Sequence, residues 1–278
     1  MRVMVKMAGV WDRTAEFLSD NLAAVLPIAL LTFFVPASIQ GNFAAAMIGA
    51  GEELKILLTV LQIVFAILSL WGSLAITAMA LDIAGERSAT NIATRRLLPA
   101  LLVSIVMIVV ASALVLPVPG VLAFNGYDMA AMARNEEVNM SMTVAVFIAL
   151  YMLALVFFLL WLIARFVVAT PVLVRESRVL SALGESWRLT RGVALRIIGV
   201  IILFAIVSWV AALAAMTVFG SIFALVAGRG DGVTLSSVMT SIVVAAVQSA
   251  FMVIPPAFTA KLYLALTAAR YRHAEADA

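Results

Sequence analysis

The sequence predicts an all-α membrane protein with six transmembrane helices. Of its 278 residues, 65% are hydrophobic and only 12% are charged, whereas soluble domains are about 45–50% apolar and about 25% charged. The mean hydropathy is +1.17. A helix that crosses the ~30 Å hydrocarbon layer needs about 20 apolar residues, and this sequence contains six stretches of that length. Little sequence remains for a separate soluble domain, so we treat 1–278 as a single integral membrane domain.

The six apolar stretches define the predicted spans in chain order. They lie at about 22–39, 56–81, 97–124, 142–164, 197–227 and 238–260. Each is long enough to cross the membrane as a helix, the form that satisfies its own backbone hydrogen bonds in lipid. The polar segments between them are short, and none is rich in Pro or Ser. No linker between domains is therefore predicted.

A cleaved signal peptide is an alternative interpretation of the first 40 residues. Residues 22–35 could form its apolar core, and the small residues Ala37 and Ser38 follow. The preceding segment contains Asp12, Glu16 and Asp20, unlike a short basic leader. We therefore expect an uncleaved first helix.

The positions of the basic residues predict the orientation of the chain. Only Lys55, Arg134 and Arg229 of the 18 Lys and Arg residues lie in the connections after the first, third and fifth spans. The others lie at the two termini and in the connections after the second and fourth spans. Cytoplasmic connections carry the excess of positive charge. Both termini are thus predicted to be cytoplasmic.

Charged, amphipathic segments precede the first, third and fifth spans, at 1–20, 83–96 and 171–196. This regularity suggests three repeated two-helix units, an arrangement found as internal repeats in transporters. The other interpretation is a chance similarity of apolar segments.

The segment 171–196 is the most informative part of the chain. At helical spacing, Val172, Val179, Leu180, Leu183 and Trp187 share one side, while Arg175, Arg178, Glu185 and Arg188 share another. This pattern predicts a helix that lies on the cytoplasmic membrane surface. Its function could be that of a simple connector or of a binding site for lipid headgroups or a partner protein. The candidate site residues are Arg175, Arg178, Trp187, Arg188 and Arg191.

The same segment carries a resemblance to a known family. It resembles the signature of the bacterial integral membrane family named glycerophosphoryl diester phosphodiesterase membrane domain. The residues that carry the resemblance are Pro171, Arg175, Glu176, Ala182, Leu183, Ser186, Trp187, Leu189, Thr190 and Gly192. The resemblance implies a six-helix module of the bacterial inner membrane, near glycerophospholipid metabolism. It carries over no catalytic residue, and this chain lacks the soluble phosphodiesterase barrel that some members have.

A few polar residues and prolines interrupt the predicted spans. Gln62, Tyr151 and Gln248 form a possible intramembrane polar site, or they make ordinary hydrogen bonds between helices. Pro255 and Pro256 predict a break in the sixth helix, because neither can donate a backbone hydrogen bond. Asp82, Arg165 and Lys261 fall at predicted span ends, where their charges can reach the membrane surface.

No pattern in the sequence predicts catalysis. The chain has no Cys and one His, His273, and it lacks a Gly-rich phosphate loop, an HExxH sequence and a close pair of membrane-facing carboxylates that could act as acid and base. We therefore expect no metal, no cofactor, no enzymatic activity and no nucleic acid partner.

Two functional hypotheses follow. The first is a non-enzymatic module that binds membrane lipids, anionic ones in particular, or a membrane or cytoplasmic partner protein, and acts in membrane-lipid homeostasis. The second is a transporter or channel for a neutral or amphipathic solute, suggested by the repeat pattern, the proline break and Gln248.

Overall fold

The computed structural model describes residues 5–47, 50–82, 86–129, 131, 140–176, 179–228 and 233–276. Within these residues the chain is all-helical and contains no strand. Six helices are long and apolar enough to cross a membrane, which confirms the predicted fold class. They are Leu22–Gln40, Glu52–Ala80, Ala89–Phe124, Met142–Glu176, Ala194–Val226 and Leu235–Arg272, and we call them the first to sixth spans.

Several spans are built from more than one helix. The first half of the chain contains α1 (Met7–Asp20), α2 (Leu22–Ala29), a π-helical turn (Leu30–Phe34), α3 (Val35–Gln40), α4 (Phe43–Met47), α5 (Glu52–Ala80), α6 (Glu86–Val115) and α7 (Pro117–Phe124). The second half contains α8 (Met142–Phe166), α9 (Ala169–Glu176), α10 (Val179–Leu189), α11 (Ala194–Ala227), α12 (Leu235–Met252) and α13 (Ile254–Ala276).

Consecutive spans pack side by side, and the sixth span returns to the first. Helix α5 packs on α6, α8 on α11, and α11 on α12, while α12 packs on α3. The third and fourth spans meet through the Tyr151 hydroxyl, which donates to the Leu114 carbonyl at 2.6 Å. Most of their apolar surface faces outward. In the most apolar 18-residue stretch of each span, no residue is buried in the third span and 6% of the residues are buried in the fourth. Such a surface is suited to contact with lipid.

Two of the helix breaks lie next to prolines, whereas Pro27 and Pro99 lie inside helices. At the predicted interruption, α12 ends at Met252 and both Pro255 and Pro256 lie in the first turn of α13. Proline is tolerated there because the first turn of a helix needs few backbone donors. A second break at Leu116 precedes Pro117, the first residue of α7.

The segments before the odd-numbered spans have three different structures. Helix α1 is separate and packs on α13, whereas the residues of 83–96 that the structure describes belong to the long helix α6. The segment 171–196 forms parts of α9, α10 and α11. The threefold repeat therefore stays a prediction.

The start of the segment 171–196 is buried within the bundle. In α9 the side chains of Pro171, Val172, Leu173 and Val174 are buried, and the helix packs against α5, α6 and α13. Four consecutive apolar residues cannot all lie on one face of a surface helix, so enclosure on every side is the favourable arrangement. The expected surface position is therefore wrong for these four residues, whereas Arg175 and Glu176 at the end of α9 are exposed.

Candidate functional site

Charged residues collect at one end of the helical bundle, where α1, α9, α10 and α13 pack together. We call this the basic end. The two terminal helices and the segment after the fourth span were predicted to lie on one side of the membrane, and here they are in contact. Several cavities open at this end among the residues that the structure describes. The largest by volume lies between α9, α10 and α13.

We call this largest cavity the basic cleft. It has a volume of about 520 Å³. Its wall is formed by Arg175, Glu176, Glu185, Arg188, Leu189, Tyr263, Thr267, Arg270 and Tyr271. Three guanidinium groups thus face two carboxylates, which leaves an excess of one positive charge. Such a balance favours an anionic ligand.

Glu185 holds two of the arginines in place. Its Oε2 accepts a hydrogen bond from Nη2 of Arg188 one turn along α10, and its Oε1 accepts one from Nη1 of Arg270 on α13 at 3.0 Å. The two arginine side chains remain more than half exposed. Each guanidinium has five N–H donors, so both keep donors that can reach a ligand in the cleft.

Arg175 supplies the unbalanced charge. Its guanidinium carbon lies 5.8 Å from the centre of the Tyr263 ring, a cation–π arrangement. The Tyr263 hydroxyl donates to Oε1 of the neighbouring Glu176 at 3.4 Å. Among the residues that the structure describes, no carboxylate lies within ion-pair distance of Arg175. Arg175 is exposed and is available to a mobile anion.

Trp187 lies beside the basic cleft and packs against residues at the end of α8. Its ring packs edge-on against Trp161 with centroids 5.0 Å apart, and the guanidinium carbon of Arg165 lies 4.8 Å from its centre. Arg165 also donates to the Trp187 carbonyl at 3.4 Å. This cluster joins the end of α8 to α10. Trp187 and Arg165 therefore position the helix that carries Glu185 and Arg188.

Comparisons with known proteins gave no relative. No family model, no curated protein and no solved structure matches the chain. The resemblance of residues 171–192 to the phosphodiesterase membrane domain family thus stays a prediction that rests on those residues alone.

The basic cleft contains only some of the residues that the sequence singled out. Arg175 and Arg188 line it, Arg191 is exposed in the turn after α10, and Arg178 lies outside the described residues. Sequence reasoning did not assign Arg270 and Tyr263 to this site. Their signal was spacing: residues 263, 267, 270 and 271 recur on one face of a helix.

The three polar residues within the spans have different surroundings. Tyr151 joins the third and fourth spans through the Leu114 carbonyl, as expected of a hydrogen bond between helices. Gln62 is exposed on α5. Gln248 lines a separate cavity between the first, fifth and sixth spans.

Lys261 and Asp82, which were also predicted to lie at span ends, form an ion pair with each other. Lys261 Nζ lies 3.4 Å from Asp82 Oδ2 and 5.0 Å from the centre of the Phe17 ring. The pair connects the end of α5 to α13. Lys261 is only 11% exposed, so packing against Phe17 and an ion pair account for its position. Within the described ranges, no three His, Asp or Glu side chains come together as a metal site.

Proposed function

We propose that this protein is a non-enzymatic membrane module that binds the phosphate group of anionic lipids in the basic cleft and acts in membrane-lipid homeostasis. The observation that carries the proposal is the excess positive charge of the cleft. Arg175 supplies this charge, whereas Arg188 and Arg270 are both hydrogen bonded to Glu185. Guanidinium groups pair with phosphate through parallel hydrogen bonds.

The position of the cleft supports a lipid as the source of the phosphate. It lies at the end of α9 and α13, where two of the apolar spans terminate. Tyr271 is 69% exposed and Trp187 is 37% exposed at the same end, and such aromatic rings favour the headgroup level of a bilayer. A lipid headgroup can reach the cleft from the adjacent leaflet while its acyl chains stay in the hydrocarbon.

A binding titration with purified protein tests the proposal. The probe is fluorescent phosphatidylglycerol, titrated into the protein in neutral detergent, with phosphatidylcholine as the zwitterionic competitor. A basic residue near an anionic lipid surface contributes about 1 kcal/mol, so Arg175→Gln with Arg270→Gln should weaken binding roughly 30-fold. The double variant Arg175→Lys with Arg270→Lys keeps the charge and should lose less.

The matched control changes the same net charge elsewhere on the chain. Arg95 and Arg96 lie on α6 and do not line the basic cleft. The pair Arg95→Gln and Arg96→Gln should bind phosphatidylglycerol as the unmodified protein does. Equal losses in both double variants would show a general charge effect and overturn the assignment to the cleft, as would no loss in either.

A further inference from the structure

Helix α12 has one polar face and one apolar face, although it lies within a membrane span. One face carries polar residues at helical spacing, namely Ser237, Ser241 and Gln248. Val244 is the one apolar residue at this spacing on that face. The opposite face, which includes Ala246 and Ala250, lines an apolar groove against α2. A polar face within lipid requires water or a polar partner.

The polar face of α12 lines a cavity of about 400 Å³, which we call the hydroxyl cleft. It runs between the first, fifth and sixth spans. Its polar lining consists of Asn42, Ser236, Ser237, Thr240, Ser241 and Gln248. None of its lining residues is ionisable, so the cleft differs in chemistry from the basic cleft at the other end.

Small residues allow the first, fifth and sixth spans to approach closely around the cleft. The first and sixth spans approach so closely that a Cβ on Gly41 would lie 2.7 Å from the Ser241 Cβ. Asn42 Nδ2 donates to the Ser241 hydroxyl at 2.8 Å across the same contact. Gly220 on α11 faces Thr240. These contacts hold the three spans together around the cleft.

The hydroxyl groups present acceptors rather than donors to the cleft. Ser237 donates to the Thr234 carbonyl, Thr240 to that of Ser236, and Ser241 to that of Val238. Because each hydroxyl has one donor and two lone pairs, oxygen lone pairs remain available to a ligand. A ligand that carries hydrogen-bond donors and no net charge suits this lining.

Gln248 is the polar lining residue that lies farthest along α12, and its side chain is exposed. It is thirteen residues after Leu235, about 20 Å along the helix at 1.5 Å per residue, and falls near the middle of the apolar stretch 238–260. Throughout the part of the chain that the structure describes, no group hydrogen bonds to its side-chain amide. A bare amide in hydrocarbon is costly, so a polar occupant must reach it.

From these observations we infer that the hydroxyl cleft is a water-filled binding cleft for a small neutral solute with several hydrogen-bond donors, and that it extends from Asn42 to Gln248. The Gln248 amide, with two donors and one acceptor, binds the part of the solute that lies nearest the middle of the span. This inference is independent of lipid binding in the basic cleft, because the two cavities share no residue.

Thiol labelling tests whether water reaches Gln248. The chain has no Cys, so single variants Ser237→Cys, Val244→Cys and Gln248→Cys can be compared directly. Ala246→Cys is the matched control, at nearly the same depth on the opposite face. In liposomes, an uncharged water-soluble maleimide should modify the three cleft positions at least tenfold faster than position 246. Labelling of position 248 no faster than position 246 would overturn the inference.

A second arm tests the preference for neutral solutes. Uncharged, anionic and cationic thiol reagents of similar size are compared at Ser237→Cys, near the start of α12, and at Gln248→Cys, near the middle of the span. A neutral cleft excludes charge. The ratio of the labelling rate of the uncharged reagent to that of either charged reagent should therefore be at least tenfold higher at position 248 than at position 237. Equal reagent ratios at both positions would overturn the assignment to neutral solutes. Gel filtration of each variant confirms that it is folded.

Discussion

The Ser186 hydroxyl donates a hydrogen bond to the main-chain carbonyl of Arg165 across 2.8 Å. That carbonyl lies at the end of α8, where the last helical carbonyls lack partners within their own helix. Thr190 shares its hydroxyl proton between the same oxygen at 3.2 Å and the Ser186 carbonyl at 2.9 Å, and both side chains are fully buried. Ser186 on α10 and Thr190 in the turn after it thus supply hydrogen bonds to the Arg165 carbonyl in the last turn of α8. These bonds fix the position of α10, which forms part of the wall of the basic cleft.

Replacement of Ser186 by Ala should lower the thermal stability of the detergent-solubilised protein. The change removes the shorter of two hydrogen bonds to a buried carbonyl, at a cost of about 1–3 kcal/mol. The control is Ser208→Ala, whose exposed hydroxyl bonds only its own helix and which should leave the unfolding temperature nearly unchanged. Equal unfolding temperatures for the two variants would contradict this role of Ser186.

Gly192 should tolerate Asn better than Ala. It has φ +88° in the turn after α10, and a Cβ there would meet no atom within 4 Å. The cost of a side chain is therefore conformational, about 1–2 kcal/mol for most residues and less for Asn. We expect Gly192→Ala to lower the unfolding temperature more than Gly192→Asn does. The reverse order would show that space, not backbone conformation, selects glycine here.

Gly72 should not tolerate any larger residue. A Cβ at this position would overlap the Thr32 Oγ1 and would lie 2.6 Å from the Thr32 Cβ, so the first and second spans would have to separate. The Ser69 hydroxyl, which donates to the Thr32 carbonyl at 2.9 Å, would be displaced as well. Gly72→Ala should reduce stability and the yield of folded protein.

A matched glycine distinguishes this contact from a general effect of helix propensity. Gly199 lies in α11, and a Cβ added to it would have no atom within 4 Å. Ala is favoured over Gly in a helix by up to about 1 kcal/mol. Gly199→Ala should therefore be neutral or stabilising in the same thermal unfolding assay. A stable Gly72→Ala protein would show that the two spans are less tightly packed than the structure indicates.

The orientation predicted from the basic residues has a direct test. Lys55→Cys, in the first turn of the second span, and Arg272→Cys, on α13, are single thiols in a chain without Cys. In intact bacterial cells, a membrane-impermeant maleimide should label position 55 and should label position 272 only after permeabilisation. Labelling of position 272 in intact cells would reverse the predicted orientation of the termini.

Several residues of the segment 171–192 that could be singled out from the sequence have local structural roles. Ser186 and Thr190 complete the end of α8, Gly192 permits the turn into α11, and Trp187 packs on Arg165. These roles explain why residues of these types occur together there. The basic cleft, in contrast, could be predicted only in part, because Arg270 and Tyr263 are about 80 residues away along the chain.

By itself the sequence determined the all-helical class, the number and approximate bounds of the apolar helices, and the break before Pro255. These features depend on local properties: stretches of about 20 apolar residues suit the hydrocarbon layer, and proline lacks a backbone donor. Only the tertiary structure decided that α9 is buried, that Glu185 joins arginines of α10 and α13, and that Gln248 shares a cleft with Asn42. Apolar helices of similar composition can pack in many ways, so the choice among neighbours depends on shape and on a few polar contacts between distant residues.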